Sequence, residues 1–142
     1  MKFARWVFAA SGIYGLIIII PMYFSEYQIG QSFPPPITHP EYFYGFLGVT
    51  LAWQILFLLI AINPLRYRLM MIPAIIEKFA YGSAIIVLFA QERIAVMMLS
   101  AGIIDTVLGL LFIITFFKTK EEIKHEEPKE VMPENGEVNN DI

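Results

Sequence analysis

The sequence predicts an all-α fold, an integral membrane four-helix bundle with up-down topology and a disordered acidic C-terminal tail. Of its 142 residues 57% are hydrophobic and 16% are charged, whereas soluble domains carry about 25% charged residues. Four apolar stretches approach the roughly 20 residues that a helix needs to cross a bilayer. The charges also collect at one end: twelve lie in the last 25 residues, against eleven in the first 117. Together these observations favour lipid as the solvent of the first part of the chain.

Each apolar stretch is bounded by charges or by residues that end helices. The first is interpreted as a retained helix and not as a signal peptide, because no small-residue cleavage site follows it. Four prolines make the loop of residues 25–42 stiff and extended, an Asn-Pro pair closes the second stretch, and a charged turn at 91–93 separates the last two. The predicted spans are residues 6–24, 43–62, 69–90 and 94–117, in a domain of residues 1–118 that is followed by a cytoplasmic flexible tail at 119–142.

Short connections predict that sequential helices are antiparallel neighbours. Basic residues predict the orientation, because they collect in cytoplasmic loops. One end of the bundle has Arg93 alone, and the other has Lys2, Arg5, Arg66, Arg68, Lys118 and Lys120. We therefore expect a multi-pass protein of the cell (inner) membrane with both termini cytoplasmic.

One ionisable residue is predicted to lie deep in the fourth span. Asp105 is eleven residues from the start of that span and twelve from its end, which places it about 16–18 Å from either end. Gly102, Thr106 and Gly109 follow at helical spacing, so one stripe of this helix is small and polar. Because a charged group in hydrocarbon is costly, that stripe must face protein or water and is a functional candidate.

The third span supplies a candidate partner. Lys78 lies within one long side chain of the depth of Asp105, and we predict that the two residues pair across the third and fourth helices. Glu77 is then nearer the cytoplasmic surface or engages Arg66 or Arg68. Alternatively, Lys78 extends to the cytoplasmic headgroups. Such a pair either fixes the helix register alone or marks a site for a ligand, a proton or an ion.

The second span has two faces that need partners. Gly45, Gly48 and Ala52 form a small dry face, and Gln54 lies on a polar face roughly opposite. Trp53 is near mid-depth, where its indole N–H needs an acceptor. We predict a small pocket within the bundle, with plain interhelical hydrogen bonding as the alternative. The complete set of candidate site residues is Asp105, Lys78, Glu77, Tyr81, Thr106, Gln54, Trp53 and Tyr14.

A further pattern runs from the turn after the second span into the last span. It consists of Asn63-Pro64-Leu65-Arg66-Tyr67-Arg68, Pro73, Glu77-Lys78, Asp105 and Gly109. This pattern resembles small bacterial four-helix membrane proteins of the DoxX-like kind, over about residues 1–118. Some members of that group are linked with quinone-dependent oxidoreductase complexes as small membrane subunits. The resemblance implies a quinone or lipid pocket, and it transfers no catalytic residue.

Composition excludes several chemistries. The chain has no cysteine, which removes thiolate nucleophiles, iron–sulfur ligation and Cys–Zn sites. Both histidines lie outside the apolar stretches, and no basic face suits nucleic acid. We therefore predict no catalytic residue, no metal site and no cofactor, the exception being a bound lipid or quinone.

The expected function is that of a non-catalytic subunit of a membrane complex, or of a lipid- or quinone-binding module with a polar locus between helices three and four. The expected partners are the lipid bilayer and either other membrane subunits or further copies of the chain. One alternative is an ion- or proton-coupled transporter that acts as an oligomer, with Glu77, Lys78 and Asp105 in its path. Another is a small membrane enzyme on an apolar substrate that uses a buried carboxylate as general acid or base.

Overall fold

The computed structural model describes residues 2–126, and every regular element in that range is a helix. Four of the helices are long and apolar enough to cross a membrane, which confirms the four predicted stretches. The elements are α1 (Lys2–Met22), α2 (Glu26–Ser32), α3 (Pro40–Ile62), a 3-10 turn (Arg68–Met70), α4 (Met71–Ala90) and α5 (Val96–Glu126).

The ends of the long helices differ from the predicted spans by a few residues, and two larger differences concern the loop before α3 and the end of α5. The loop between the first two spans contains the seven-residue helix α2. The prolines of this loop all follow residue 33, so the residues of α2 keep the backbone N–H groups that helical hydrogen bonds need. At the other end of the chain α5 continues to Glu126, so the predicted domain boundary at residue 118 falls inside a helix. The rest of the predicted disordered tail lies outside the described residues.

The four long helices pack as two hairpins. Helix α1 lies along α3, α4 lies along α5, and the hairpins meet mainly where α1 contacts α5. Helices α3 and α4 follow each other in sequence, but their backbones approach closely at few places. Their side chains do meet, since Phe46 and Tyr81 stack with ring centroids 6.4 Å apart, so the two helices are neighbours that pack more loosely than the helices within each hairpin.

A cluster of aromatic rings joins the two hairpins. Phe8 of α1 stacks on Phe112 of α5 with ring centroids 4.2 Å apart, and Phe57 of α3 meets Phe112 edge-on at 5.1 Å. All three side chains are completely buried. They lie early in α1 and late in α3 and α5, so this aromatic cluster belongs to the end of the bundle that carries most of the basic residues.

Arg68 ties the connection after α3 to α5. Its Nε and Nη2 both donate to the carbonyl oxygen of Phe116 at 3.3 Å, and its guanidinium lies 3.8 Å from the centroid of the Phe116 ring. Nearby, the Lys118 ammonium lies 4.8 Å from the ring centroid of Phe3. The N-terminus of α1, the connection before α4 and the charged part of α5 therefore meet at one end of the bundle.

Replacing Arg68 with methionine is expected to lower the free energy of unfolding by about 1–2 kcal/mol, because two hydrogen bonds and a cation–π contact are lost. Arg66 is exposed in the same connection, with its guanidinium 5.7 Å from the centroid of the Tyr67 ring and no side-chain hydrogen bond in the described part of the chain, so Arg66→Met removes the same charge and should cost about 0.5 kcal/mol. Unfolding of the purified protein by sodium dodecyl sulfate, followed by circular dichroism, measures both. Equal losses would contradict the anchoring role of Arg68.

Candidate ligand-binding cleft

A cleft lies between the two hairpins, next to the aromatic cluster. The residues that line the cleft lie farther from the basic end of the bundle than the aromatic cluster does. The cleft has a volume of about 110 Å³, somewhat below that of an engineered dry cavity of roughly 150 Å³ that binds benzene. It is lined by Ser11, Tyr14, Gly15, Ile18, Ile19, Phe46, Thr50, Gln54, Glu77, Lys78, Tyr81, Ala101, Asp105 and Leu108.

Three charged side chains meet in the cleft. Lys78 Nζ donates to Asp105 Oδ1 at 3.1 Å and to Oδ2 at 3.2 Å, and it lies 3.4 Å from Glu77 Oε2. The exposed fractions of the three side chains are 6% for Lys78, 15% for Asp105 and 17% for Glu77. The structure therefore contains the predicted pair between the third and fourth long helices, with Glu77 as a second carboxylate on the same ammonium.

The position of Lys78 is set by the aromatic cluster beneath it. Its Nζ lies 5.2 Å from the centroid of the Phe57 ring, within the range of a cation–π interaction. The alternative in which Lys78 extends to the headgroups is therefore not what the structure shows. Nor does Glu77 engage Arg66 or Arg68, since it lies beside Lys78 while Arg68 is bound to Phe116.

Two polar atoms of the cleft are left without a hydrogen bond. Ser11 Oγ and Glu77 Oε2 are buried, and neither has a hydrogen-bond partner within the described part of the chain. Ser11 is 2% exposed. A buried polar group without a partner costs about 1–3 kcal/mol. This cost applies to Ser11 Oγ, because Glu77 Oε2 keeps its ion pair with Lys78 at 3.4 Å, and a ligand that hydrogen-bonds to Ser11 would offset it.

The other predicted residues that reach the cleft come from three helices. Gln54 is buried and donates from Nε2 to the carbonyl oxygen of Thr50 at 3.1 Å, and the absence of a side chain at Gly15 leaves room for its amide. Tyr81 stacks on Phe46, with ring centroids 6.4 Å apart. Tyr14 completes the set from α1.

Trp53 and Thr106, which the sequence also predicted for the site, lie outside the cleft. Thr106 Oγ1 donates to the carbonyl oxygen of Gly102 at 2.8 Å, and its side chain faces Gly82 in the contact between α4 and α5. Trp53 packs beside Phe57, with ring centroids 6.3 Å apart. Each of the two is next in sequence to a residue that lines the cleft. Because one residue turns a helix by about 100°, the neighbouring side chain points away from the cleft.

Sequence reasoning missed part of the lining from α1 and α5. Ser11, Ala101 and Leu108 line the cleft and were not among the predicted site residues. A signal was available on α1, because Ser11, Tyr14 and Ile18 recur at i, i+3 and i+7 and so share one face. On α5 the apolar lining residues have no feature that separates them from the rest of an apolar helix.

An apolar groove adjoins the cleft along the gap between α3 and α4. We call it the seam groove; its volume is about 420 Å³. Phe46, Thr50, Glu77 and Tyr81 line both spaces, so the cleft and the groove are adjacent. The residues that line only the groove are Val49, Trp53, Pro73, Ile76 and Ala80.

Comparison with protein-family models, with curated proteins and with solved structures finds no match to this chain. The resemblance to DoxX-like proteins therefore stays a prediction.

Proposed function

We propose that this chain is a multi-pass membrane protein, with both termini cytoplasmic, that holds the polar head of a lipid-soluble ligand in the cleft without transforming it. The ligand class is a membrane amphiphile, a lipid or a quinone. One observation carries the proposal: the buried charges line an open space. A pair that only fixed the register of α4 and α5 would need no adjoining cleft.

The outer surface of the bundle supports placement in a bilayer. Large apolar side chains cover the long helices, and an apolar surface of this extent needs a non-aqueous cover. Aliphatic and indole side chains from all four long helices are more than 60% exposed: Trp6, Ile17, Val49, Ile62, Ile76, Val96 and Met97. The basic residues at one end of the bundle support the orientation, because cytoplasmic loops are rich in lysine and arginine.

The two spaces match the two parts of an amphiphile. Ligand sites for drug-sized molecules have about 300–1,000 Å³, so the cleft, at about 110 Å³, takes only a small head. The seam groove, at about 420 Å³, is apolar and suits a chain. A ligand whose head lies beside Lys78 can place its hydrocarbon chain between α3 and α4, where the two helix backbones approach closely at few places.

Binding is better supported than transport. On the basic side of the cleft Phe8, Phe57 and Phe112 fill the centre of the bundle and are completely buried. An ion that travelled from the cleft to that end would have to displace this cluster. A bound head, in contrast, needs access from one side only.

Ala101→Phe tests the proposal by filling the cleft from α5. The protein is purified in lipid nanodiscs, its amphiphiles are extracted with organic solvent, and lipids and quinones are quantified by mass spectrometry. Because the cleft and the groove together accept one head and one chain, we expect the wild-type protein to retain about one specific amphiphile per chain. The Ala101→Phe protein should retain less than a tenth of it.

Ala52→Phe is the matched control, because Ala52 is exposed on α3 and the change adds the same ring away from the cleft. This variant should retain the amphiphile at the wild-type level. Circular dichroism in the same nanodiscs establishes that both variants are folded. Equal retention by the folded Ala101→Phe protein would overturn the proposed function.

A further inference from the structure

The charges of the cleft do not balance. Lys78 supplies one positive charge, while Asp105 and Glu77 supply two formal negative charges, and all three side chains are less than a fifth exposed. A net charge in a space of low dielectric constant is costly unless an opposite charge or a bound proton compensates it. The cleft thus has an electrostatic preference for one additional cation.

Lys78 cannot serve as the binding group for an anionic head. Its ammonium already contacts both oxygens of Asp105 and Oε2 of Glu77, and Phe57 lies against it. An anion would have to compete with two carboxylates for the same ammonium. The buried acceptors that remain are Ser11 Oγ, which has no hydrogen-bond partner within residues 2–126, and Glu77 Oε2, which has the ion pair with Lys78 at 3.4 Å but no hydrogen bond in that range.

We propose that the cleft selects amphiphiles with a small ammonium head and a single hydrocarbon chain. This inference rests on the proposed function and narrows its ligand class. The ammonium N–H groups donate to Glu77 Oε2 and Ser11 Oγ, which makes the charge of the cleft neutral. The rings of Tyr14, Phe46 and Tyr81 line the same space, and aromatic faces attract cations.

The size and charge of the cleft disfavour other heads. A carboxylate or phosphate head adds negative charge beside Glu77 and Asp105. A phosphatidylethanolamine head has the ammonium but also brings a phosphate into about 110 Å³. A neutral head, such as an alcohol or a quinone ring, can hydrogen-bond to Ser11 but leaves the extra carboxylate without a counterion.

Three probes with the same chain and different heads separate these classes: dodecylammonium, dodecanol and dodecanoate. The full chain is placed in phosphatidylcholine nanodiscs, and bound probe is counted by native mass spectrometry. Affinities are expressed per lipid after correction for partition into empty nanodiscs. We expect dodecylammonium to bind about tenfold more tightly than dodecanol, as one charge-assisted hydrogen bond provides, and dodecanoate to bind least.

Glu77→Gln keeps the shape of the side chain and removes the surplus charge. Dodecylammonium should then lose its advantage and bind no more tightly than dodecanol. Ser11→Ala, which keeps the charge, should weaken dodecylammonium about threefold through one lost hydrogen bond. Circular dichroism and the unfolding midpoint in sodium dodecyl sulfate show that both variants are folded.

The filled and control variants distinguish failure of this inference from failure of the proposed function. If all three probes bind equally and Ala101→Phe still abolishes binding, the ammonium preference is overturned and the ligand-binding function stands. If the Ala101→Phe and Ala52→Phe proteins both bind every probe as the wild type does, the ammonium preference and the proposed function are both overturned. The same measurement in nanodiscs made with phosphatidylethanolamine separates two sources of the ammonium head. If the lipid displaces dodecylammonium, the ammonium preference stands but the natural ligand is a lipid head and not a single-chain amine. If the lipid does not displace dodecylammonium, the ligand is a single-chain amine.

Discussion

Replacing Lys78 with methionine is expected to lower the free energy of unfolding by about 3–5 kcal/mol, the cost of breaking a buried ion pair by removing one partner. Lys78 is the only cation in contact with Asp105 and Glu77 among the described residues, so both carboxylates lose their partner at once. Asp105→Leu should cost less, because Lys78 keeps Glu77 at 3.4 Å. Unfolding in sodium dodecyl sulfate gives both values.

The order of the two losses tests whether the ammonium is shared. If Lys78→Met were no more destabilising than Asp105→Leu, Glu77 would not depend on Lys78. Arg66→Met is the control for the removal of a basic side chain, since Arg66 is exposed and contacts only the Tyr67 ring among the described rings and carboxylates, and it should cost about 0.5 kcal/mol.

A triple variant separates the architectural role of these charges from the binding role. Lys78→Met, Asp105→Leu and Glu77→Gln together leave no formal charge in the cleft. Apolar replacement of a complete buried ionic group is often neutral or stabilising, so the triple variant should be about as stable as the wild type. It should also lose the preference for dodecylammonium. If the preference persisted, the charges would be architectural alone.

The sequence was most informative where hydrocarbon leaves few choices. The length of the apolar stretches predicts four long helices, since each must satisfy its backbone hydrogen bonds internally. The pairing of Lys78 with Asp105 could be predicted for a related reason. A lysine and an aspartate at similar depth on antiparallel helices each need a partner, and the chain has few other charges at that depth.

The rotation of each helix about its axis was harder to predict. On α3 apolar residues surround the helix, and the polar face predicted at Gln54 is too narrow to show which of the neighbouring residues point inward. The face of Gly45, Gly48 and Ala52 was predicted to be packed, yet all three residues are exposed. Trp53 was predicted to line the pocket together with Gln54, and of these two neighbours only Gln54 lines the cleft.

Small residues also determine which pairs of helices approach closely, and a sequence does not say which small residues are paired. A Cβ atom added to Gly12 would come within 2.9 Å of the Leu58 side chain across the contact between α1 and α3. No atom lies within 4 Å of a Cβ added to Gly45. Both glycines belong to apolar helices, and only the packed structure distinguishes them.

Gly82 lies in the contact between α4 and α5, and a side chain added at this position is expected to destabilise the protein strongly. A Cβ atom at Gly82 would lie 2.5 Å from Thr106 Oγ1 and 3.2 Å from the carbonyl oxygen of Gly102. The carbonyl is part of the backbone, so the helices themselves must move apart to admit a side chain. We expect Gly82→Leu to lower the free energy of unfolding by about 3 kcal/mol, at the upper end of the cost of overpacking.

Gly45→Leu is the matched control, because it adds the same side chain where nothing lies within 4 Å. Leucine favours helix over glycine by nearly 1 kcal/mol, so this variant should be as stable as the wild type or slightly more stable. Equal losses at the two positions would contradict the packing of α4 on α5. A loss at Gly45 that appears only at high protein-to-lipid ratio would instead show that a second chain covers this face of α3.

Because Lys78 is one turn from Gly82 on α4, Gly82→Leu should also weaken probe binding in the cleft, whereas Gly45→Leu should leave it unchanged.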